Sequence, residues 1–240
     1  QDRAGKGGTV EVDSPVYAAT YHSPVLNIAE YAHDARLKAI SREYLDLHIA
    51  DLAQKTTEGM PGGAKSRAAK NRVLTPGNAR AIQYLYPLTG HPDEGLNTEG
   101  GIVPTGGHFW RIFGGAVTTD YRVPQEIIDM IADENARGTY TYTTNRLGQG
   151  TRTSENGEYV YQPPQSQSAL LHTTRVTPDF TLGWFTLDEN ESYMAISGQS
   201  QAMVAITDAS RTSRLVMNLT GGKQNDELQG VGDGDAMMFR

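Results

Sequence analysis

The chain has no cysteine and no long hydrophobic run, and each absence excludes a class of protein. Without cysteine there are no disulfides, no thiolate metal ligands and no cysteine nucleophile. No apolar run approaches the roughly 18 residues that a bilayer-spanning helix needs, so the sequence predicts no membrane span. Basic residues are also few. The 21 Lys and Arg are outnumbered by 28 Asp and Glu, and the net charge of −7 argues against a nucleic-acid partner.

The sequence also lacks a complete catalytic motif. Neither the P-loop nor the dinucleotide-binding glycine pattern is present. The stretch SGQSQA approaches the nucleophile elbow of α/β-hydrolases around Ser200, but Ala202 stands where the last glycine belongs. No histidine follows Ser200 to serve as the base, because His172 is the last histidine in the chain. The sequence therefore favours a polar turn at Ser200 and a protein that is not an enzyme.

The composition is that of a globular protein whose two halves have different patterns. Hydrophobic residues make up 38% and charged residues 20% of the 240 residues, which is enough to bury a core. Helical patterns dominate the first half, and short alternating segments with turn signals such as Asn156-Gly157 dominate the second. The sequence predicts an α+β fold. In it a long N-terminal amphipathic helix and two shorter helices pack on a C-terminal antiparallel β-rich sandwich or barrel-like body.

Composition divides the chain into four segments, which we expect to form one compact domain. They are an extended N-terminal arm (1–25), a helical and mixed region (26–138) with a flexible basic loop (56–73), an antiparallel β-rich region (139–220) and a Gly- and Asp-rich tail (221–240). The arm is predicted to be extended because Pro15 and Pro24 disfavour a helix across them. An arm of this kind has little core of its own and must lie on its own domain or on a neighbouring subunit.

The long helix is predicted over residues 27–55. Asn27 and Glu30 have the spacing of a capping box at its start. Apolar residues then recur at spacings of three and four and give one apolar stripe. The stripe consists of Leu37, Ile40, Tyr44 and Leu47. Two pairs at i,i+4 are expected on the solvent side, Asp34 with Lys38 and Asp51 with Lys55.

Two further helices and a basic loop are predicted in the region up to residue 138. One helix begins at Thr75-Pro76, and another begins at Pro124 and ends before Gly138. The buried face of the latter is predicted to hold Ile127, Ile128 and Ile131. The basic loop concentrates four cations, either in a solvated segment or in a contact with an acidic partner such as another copy of the chain. These cations are Lys65, Arg67, Lys70 and Arg72.

The spacing of the six histidines does not match that of metal ligands. The stretch from His108 to Phe113 lies between two glycine doublets and is predicted to be a short strand with side chains on both faces. If the protein is an enzyme, its site must be built from dispersed residues in or beside the strand-rich segments. The residues to consider first are His108, Trp110, Arg111, His172 and Asp179.

The tail contains two successive nonapeptides, GGKQNDELQ and GVGDGDAMM, with Asp226 and Asp235 at equivalent positions. They resemble the repeats of the RTX calcium-binding β-rolls, in which turn carbonyls and Asp carboxylates supply hard oxygen ligands. The resemblance implies a calcium site at Asp226, Asp233 and Asp235. The sequence departs from the repeat at its fourth position, where glycine is replaced by Gln224 and Asp233. No other cofactor is expected.

Together these features favour a structural or assembly protein, such as a virion component or a subunit of an extracellular filament or layer. The arm, the long helix and the charged loops would make contacts with further copies or with neighbouring structural subunits. An extracellular or virion location is favoured. Two alternatives stay open, a secreted glycan- or protein-binding β module and an enzyme with a dispersed site.

Overall fold

The computed structural model describes residues 13–14, 17–57, 60–65, 88, 114–146, 152–155, 158–161, 170–187, 202–207, 214–218 and 230–239. This part of the chain contains both helices and antiparallel sheets, which confirms the α+β prediction. No helix within these ranges is long and apolar enough to cross a membrane.

Four helices and eleven strands are described. The helices are α1 (Tyr17–Tyr31), α2 (Ala35–Ala53), α3 (Gln125–Ala132) and α4 (Glu134–Arg137), and residues 114–118 are also helical. The strands are β1 (Thr56–Thr57), β2 (Met60–Pro61), β3 (Tyr140–Arg146), β4 (Arg152–Glu155), β5 (Glu158–Tyr161), β6 (Leu170–Val176), β7 (Phe180–Leu187), β8 (Ala202–Thr207), β9 (Arg214–Asn218), β10 (Gly230–Asp233) and β11 (Ala236–Phe239).

The predicted long helix is two helices, so the start at Asn27 is wrong. Asn27 lies inside α1, and α2 begins after Asp34. The Asp34 carboxylate accepts hydrogen bonds from the backbone N–H groups of Arg36 (2.8 Å) and Leu37 (3.0 Å). These are N–H groups that a helix start leaves without intrahelical partners, so an aspartate here favours a new helix.

The extended conformation predicted for the arm is wrong for residues 17–25, which belong to α1 although Pro24 lies inside the helix. Pro24 is solvent-exposed, whereas Leu26 and Ala29 are fully buried in the same helix. The apolar contacts of these side chains offset the hydrogen bond that the proline cannot donate.

The helices enclose an apolar core. The core residues are Leu26, Ala29, Leu45, Ile49, Leu52, Ala53, Leu88, Ala116, Tyr121, Val123, Ile127 and Ile128. The prediction of a helix after Pro124 with Ile127 and Ile128 buried is confirmed, with Ile131 packed against the same core. The helix ends earlier than predicted, at Ala132, because Asp133 caps the short α4 by accepting a hydrogen bond from the N–H of Ala136.

The largest sheet has five strands in the order β3-β6-β7-β8-β9, with every neighbouring pair antiparallel. A hairpin predicted around Asn156-Gly157 is confirmed by the pairing of Glu155 with Glu158, where β4 meets β5. Within the described strands the large sheet is open, with β3 and β9 at its edges, so the closed barrel is not seen there.

The first part of the predicted flexible basic loop is ordered at residues 56–57 and 60–65, so that prediction is wrong there, and residues 56–57 and 62–65 are buried. Strands β1 and β2 form a hairpin, and residues 62–65 after it are buried against the sheet. The contact is closest at Gly183 of β7, where an added Cβ would overlap the backbone of Gly63 and Ala64. Absence of a side chain at Gly183 is what lets the two backbones touch.

Candidate functional site

Five charged or titratable side chains from distant parts of the sequence meet where the end of α2 faces the large sheet. We call them the buried charge cluster, and its members are Asp13, Asp51, Lys55, Lys65 and His172. Four of the five are buried, and Asp51 at the margin is partly exposed. Ionisable groups are almost never buried unless paired, so the cluster is the first place to look for a function.

Lys55 is the centre of the cluster. Its Nζ atom lies 2.5 Å from Oδ2 of Asp13 and 3.1 Å from Oδ2 of Asp51. The side chain of Lys55 is 0% exposed and that of Asp13 is 2% exposed. His172 completes the group, with Nε2 at 3.9 Å from the same Asp13 oxygen. One fully buried amine therefore bridges the buried carboxylate of Asp13 and the partly exposed carboxylate of Asp51.

The end of α2 explains how Lys55 comes to be buried. Asp51 and Lys55 form the predicted i,i+4 pair, but the solvent-side placement is wrong because the chain leaves the helix after Ala53 and turns towards the sheet. The Arg137 guanidinium holds this turn by donating hydrogen bonds to the carbonyls of Ala53 (3.0 Å) and Thr56. Cationic donors at a helix C-terminus satisfy carbonyls that have no intrahelical partner.

Asp13 reaches the cluster from the segment before α1, with a left-handed backbone φ of 47° that is uncommon for a residue other than glycine. The other predicted solvent-side pair, Asp34 with Lys38, is replaced by separate partners. Asp34 caps α2, and Lys38 donates a hydrogen bond from Nζ to the carbonyl of Glu30 at 2.7 Å.

The sheet offers a polar surface to the cluster. His172 and Thr174 alternate on β6 and are both fully buried, and Tyr142 of β3 pairs with Thr174 in register. On β7 the Thr181 hydroxyl lies 2.5 Å from the hydroxyl of Thr57. The region between the hairpin and the sheet is thus lined by hydroxyl groups rather than by aliphatic side chains.

Burial shifts the acid–base behaviour of the site. Burial lowers the pKa of Lys65 to about 8, and Asp13 partly offsets this. For Asp13, burial raises the pKa, but the attraction of Lys55 with those of His172 and Lys65 outweighs it, so the pKa lies below its ordinary value. Burial also raises the pKa of Tyr142. At neutral pH Asp13 is therefore ionised, in contact with Nζ of Lys55.

Comparison with protein-family models, with curated proteins and with solved structures gives no match. Function must therefore be argued from the residues themselves.

The structure brings one of the sequence-predicted catalytic candidates into the cluster. His172 belongs to it, whereas Asp179 is exposed in the turn between β6 and β7. His108, Trp110, Arg111 and Ser200 lie outside the described residues. The sequence did not indicate Asp13 as a site residue because no other charged site residue lies near it in its segment. It did not indicate Lys55 because the spacing of Asp51 and Lys55 is equally typical of an ion pair on the surface of a helix.

The basic partner contact is wrong at Lys65, which is buried and donates a hydrogen bond to the carbonyl of Gly62 at 3.0 Å. This burial removes the ammonium from the surface. The other three cations of that prediction lie outside the described residues, namely Arg67, Lys70 and Arg72.

The tail forms an antiparallel hairpin, with β10 paired to β11. Gly232 lies against the Trp184 ring of β7, and Asp235 forms an ion pair with Arg175 at 2.8 Å. Asp233 is exposed, and Asp226 lies outside the described residues. The described part of the chain contains no group of three or more His, Asp or Glu side chains placed so that they could hold a metal ion. Calcium binding stays a prediction, and an unchanged melting temperature in millimolar calcium would contradict it.

A second candidate site is a surface rather than a cluster. The stripe of α2 defined by Leu37, Ile40, Tyr44 and Leu47 faces outward, and we call it the outer stripe. Leu37 is 46% exposed and Leu47 is 61% exposed, while Ile40 and Tyr44 are half-buried. The buried side of the helix holds a different set, which consists of Ser41, Leu45, His48, Ile49, Leu52 and Ala53.

Proposed function

We propose that the chain is a structural subunit that assembles with further copies of itself, as a virion component or as part of an extracellular filament or layer. The observation that carries this proposal is the outer stripe of α2. Leu37 and Leu47 remain 46% and 61% exposed beside the buried core of the described helices, which indicates a surface that a partner covers. In the full assembly the β-rich half is expected to complete a sandwich-like body.

The spacing of the outer stripe suits contact with an identical helix. Its four residues are separated by three, four and three positions, a pattern that reads the same in both directions. Two antiparallel copies related by a two-fold axis would place Leu37 against the partner's Leu47, and Ile40 against the partner's Tyr44. Such a self-complementary contact is what two-fold symmetry requires.

The stripe is about 15 Å long at 1.5 Å per residue, which is less than a standard interface needs by itself. The helical half also exposes Ile28, Tyr31 and Val117. These side chains provide further apolar area for subunit contacts, so a stripe contact combined with a second contact is expected in the assembly.

Sedimentation velocity of the full chain over a wide concentration range tests the proposal. The wild-type chain is expected to form dimers or larger species, and Leu47→Glu is expected to shift the population to monomer by placing a charge in the apolar contact. Leu171→Glu is the matched control, since Leu171 is 41% exposed on β6 and away from α2. A wild-type chain that stays monomeric at every concentration would contradict the proposal.

An enzyme with a dispersed site is the second candidate, favoured by the presence of His172 in the buried charge cluster. The two functions predict different reactivity for Lys65. A lysine with a pKa of about 8 in an open site would react with a small aldehyde and a hydride donor near neutral pH before other lysines do. Under the structural proposal Lys65 stays protected in the folded protein and reacts only after unfolding. Preferential labelling of Lys65 in the folded chain would favour the enzyme.

A further inference from the structure

The buried charge cluster holds an amine and a carboxyl group in contact, with a second carboxyl group beside them. Nζ of Lys55 lies 2.5 Å from Oδ2 of Asp13, and Asp51 accepts a hydrogen bond from the same Nζ at 3.1 Å. We propose that Lys55 and Asp13 condense into an intramolecular isopeptide bond, with Asp51 carrying the protons. The bond would tie the segment before α1 to the end of α2.

The contact places the reacting atoms in position. Nζ of Lys55 lies 2.5 Å from Oδ2 of Asp13 and the carboxyl carbon is one bond further, so a small rotation of the Asp13 carboxyl group would bring the carbon within the near-attack range of about 3 to 3.5 Å. The lysine stem is confined, since an added Cβ at Gly63 would lie 3.2 Å from Lys55 Cδ and 3.5 Å from His172 Nε2. Gly63 has a φ of +79°, so the backbone can pass here without a side chain.

The reaction balances within the cluster. Asp51 takes a proton from the Lys55 ammonium and passes it to the Asp13 carboxylate, which gives a neutral amine and a neutral carboxylic acid. The amine attacks Cγ of Asp13 and forms a tetrahedral intermediate. Asp51 then moves a second proton from Nζ to the departing hydroxyl. The Nζ–Cγ bond forms, the Cγ–Oδ bond breaks, one water leaves and Asp51 returns to the carboxylate.

The surroundings favour the amide over the ion pair. Lys55 and His172 are fully buried, so water is scarce where the reverse hydrolysis would occur. Condensation replaces two buried charges by one neutral amide, which removes their desolvation penalty. His172 Nε2, at 3.9 Å from the Asp13 oxygen, is placed to stabilise the oxyanion of the intermediate.

A covalent tie of this kind suits a chain that has no cysteine and cannot form a disulfide. It would restrict the unfolded chain in the same way as a disulfide that closes a loop. The proposal does not depend on the assembly function, because the bond lies within one chain.

Intact-mass measurement of the denatured full chain tests the proposal. The wild-type mass is expected to fall one water below the mass that the sequence gives. Trypsin is expected to leave a branched peptide that joins residues 7–36, which contain Asp13, to residues 43–65, with no cleavage at Lys55. Lys55→Arg is expected to restore the full mass, since a guanidinium is too weakly nucleophilic to form the amide.

Two further variants separate the bond from other losses of water. Asp51→Asn keeps the shape of the side chain and removes the proton carrier, so it is expected to fold with the full mass. Lys38→Arg changes a lysine outside the cluster, whose Nζ donates a hydrogen bond to the Glu30 carbonyl, and it is expected to keep the deficit. Succinimide formation at Asp233-Gly234 would also lose water, but that deficit would persist in Lys55→Arg. A folded wild-type chain with the full mass and two separate peptides would overturn the proposal.

Discussion

The two buried regions of this protein are held together by different forces. The helical core is apolar, with Leu45, Ile49 and Leu52 of α2 packed among the other helices. A few residues later the same chain enters the buried charge cluster, where Lys55 contacts Asp13 and Asp51. Apolar contacts are non-directional and tolerate small shifts, whereas a buried ion pair is stable only while both partners are in place. The junction of helix and sheet should therefore be more sensitive to single substitutions than the core.

The largest effect on stability is expected for Lys55→Met, which leaves the buried Asp13 and the partly exposed Asp51 without their shared cation. We expect a loss of about 3 to 5 kcal/mol in the free energy of unfolding, the usual range when one partner of a buried pair is removed. Urea unfolding followed by circular dichroism measures it. Lys38→Met, which removes a single contact with the Glu30 carbonyl, is the control and should cost about 1 kcal/mol or less. Equal losses in the two variants would show that the ion pairs of Lys55 stabilise the fold no more than the hydrogen bond of Lys38.

Two leucines of α2 test which face of the helix is buried. Leu45 is fully buried, so Leu45→Ala is expected to cost about 2 to 5 kcal/mol through lost contacts and a cavity. Leu47 lies two positions further and is 61% exposed, and Leu47→Ala should change the stability of the monomer by about 0.5 kcal/mol or less. Both are measured by urea unfolding at concentrations where the chain is monomeric. A reversed order would mean that the outer stripe faces the core.

An intermediate effect on stability is expected where the segment after the β1–β2 hairpin lies close to the large sheet. Gly183→Ala forces the backbone of residues 63 and 64 away from β7, and overpacking of this kind costs about 1 to 3 kcal/mol. Gly115→Ala is the control, since an added Cβ there meets nothing within 4 Å in a helical segment. It should stabilise the protein by about 0.5 to 1 kcal/mol. Thermal unfolding of the two variants should therefore shift in opposite directions.

The smallest effect concerns a polar contact between α1 and α2 beside the apolar core. His22 Nε2 lies 2.8 Å from His48 Nδ1, and burial together with the neighbouring His48 lowers the pKa of His22 well below its ordinary value. The unfolded chain therefore binds a proton near pH 6.5 that the folded chain does not, and stability present above about pH 6.5 is lost on acidification.

Urea unfolding between neutral and mildly acidic pH measures the slope of the free energy of unfolding against pH. His22→Leu should reduce the slope, and His33→Gln, which removes an exposed histidine, should leave it unchanged. An unaltered slope in His22→Leu would contradict the assignment of a neutral buried pair.

Local patterns predicted the elements that rest on local contacts. Helix α3 after Pro124, the hairpin that joins Glu155 to Glu158 and the Asp51–Lys55 spacing all follow from residues close in sequence. A helix over most of the stretch that forms α2 was also predicted, but the helix at residues 17–25 and the division at Asp34 were not. Capping at Asp34 competes with continuation of the helix.

The faces of α2 show why the rest could not be predicted. The helix carries two sets of apolar residues at helical spacing, one including Leu45, Ile49 and Leu52 and the other forming the outer stripe. Periodicity cannot choose between them, because the choice depends on where α1 and α3 pack. The contact of Asp13 with Lys55 has no local signature either, since it forms only after the helices and the sheet have come together.

A double-mutant cycle on Asp13 and Lys55 tests the central claim, that their contact holds the helix–sheet junction. Asp13→Leu leaves Lys55 without this partner and Lys55→Met leaves Asp13 buried without its cation, whereas the double variant removes both members of the pair and leaves only the partly exposed Asp51 without Lys55. We predict that the double variant is more stable in urea than either single variant. Two losses that simply add would contradict the account, because they would mean that the two side chains contribute independently.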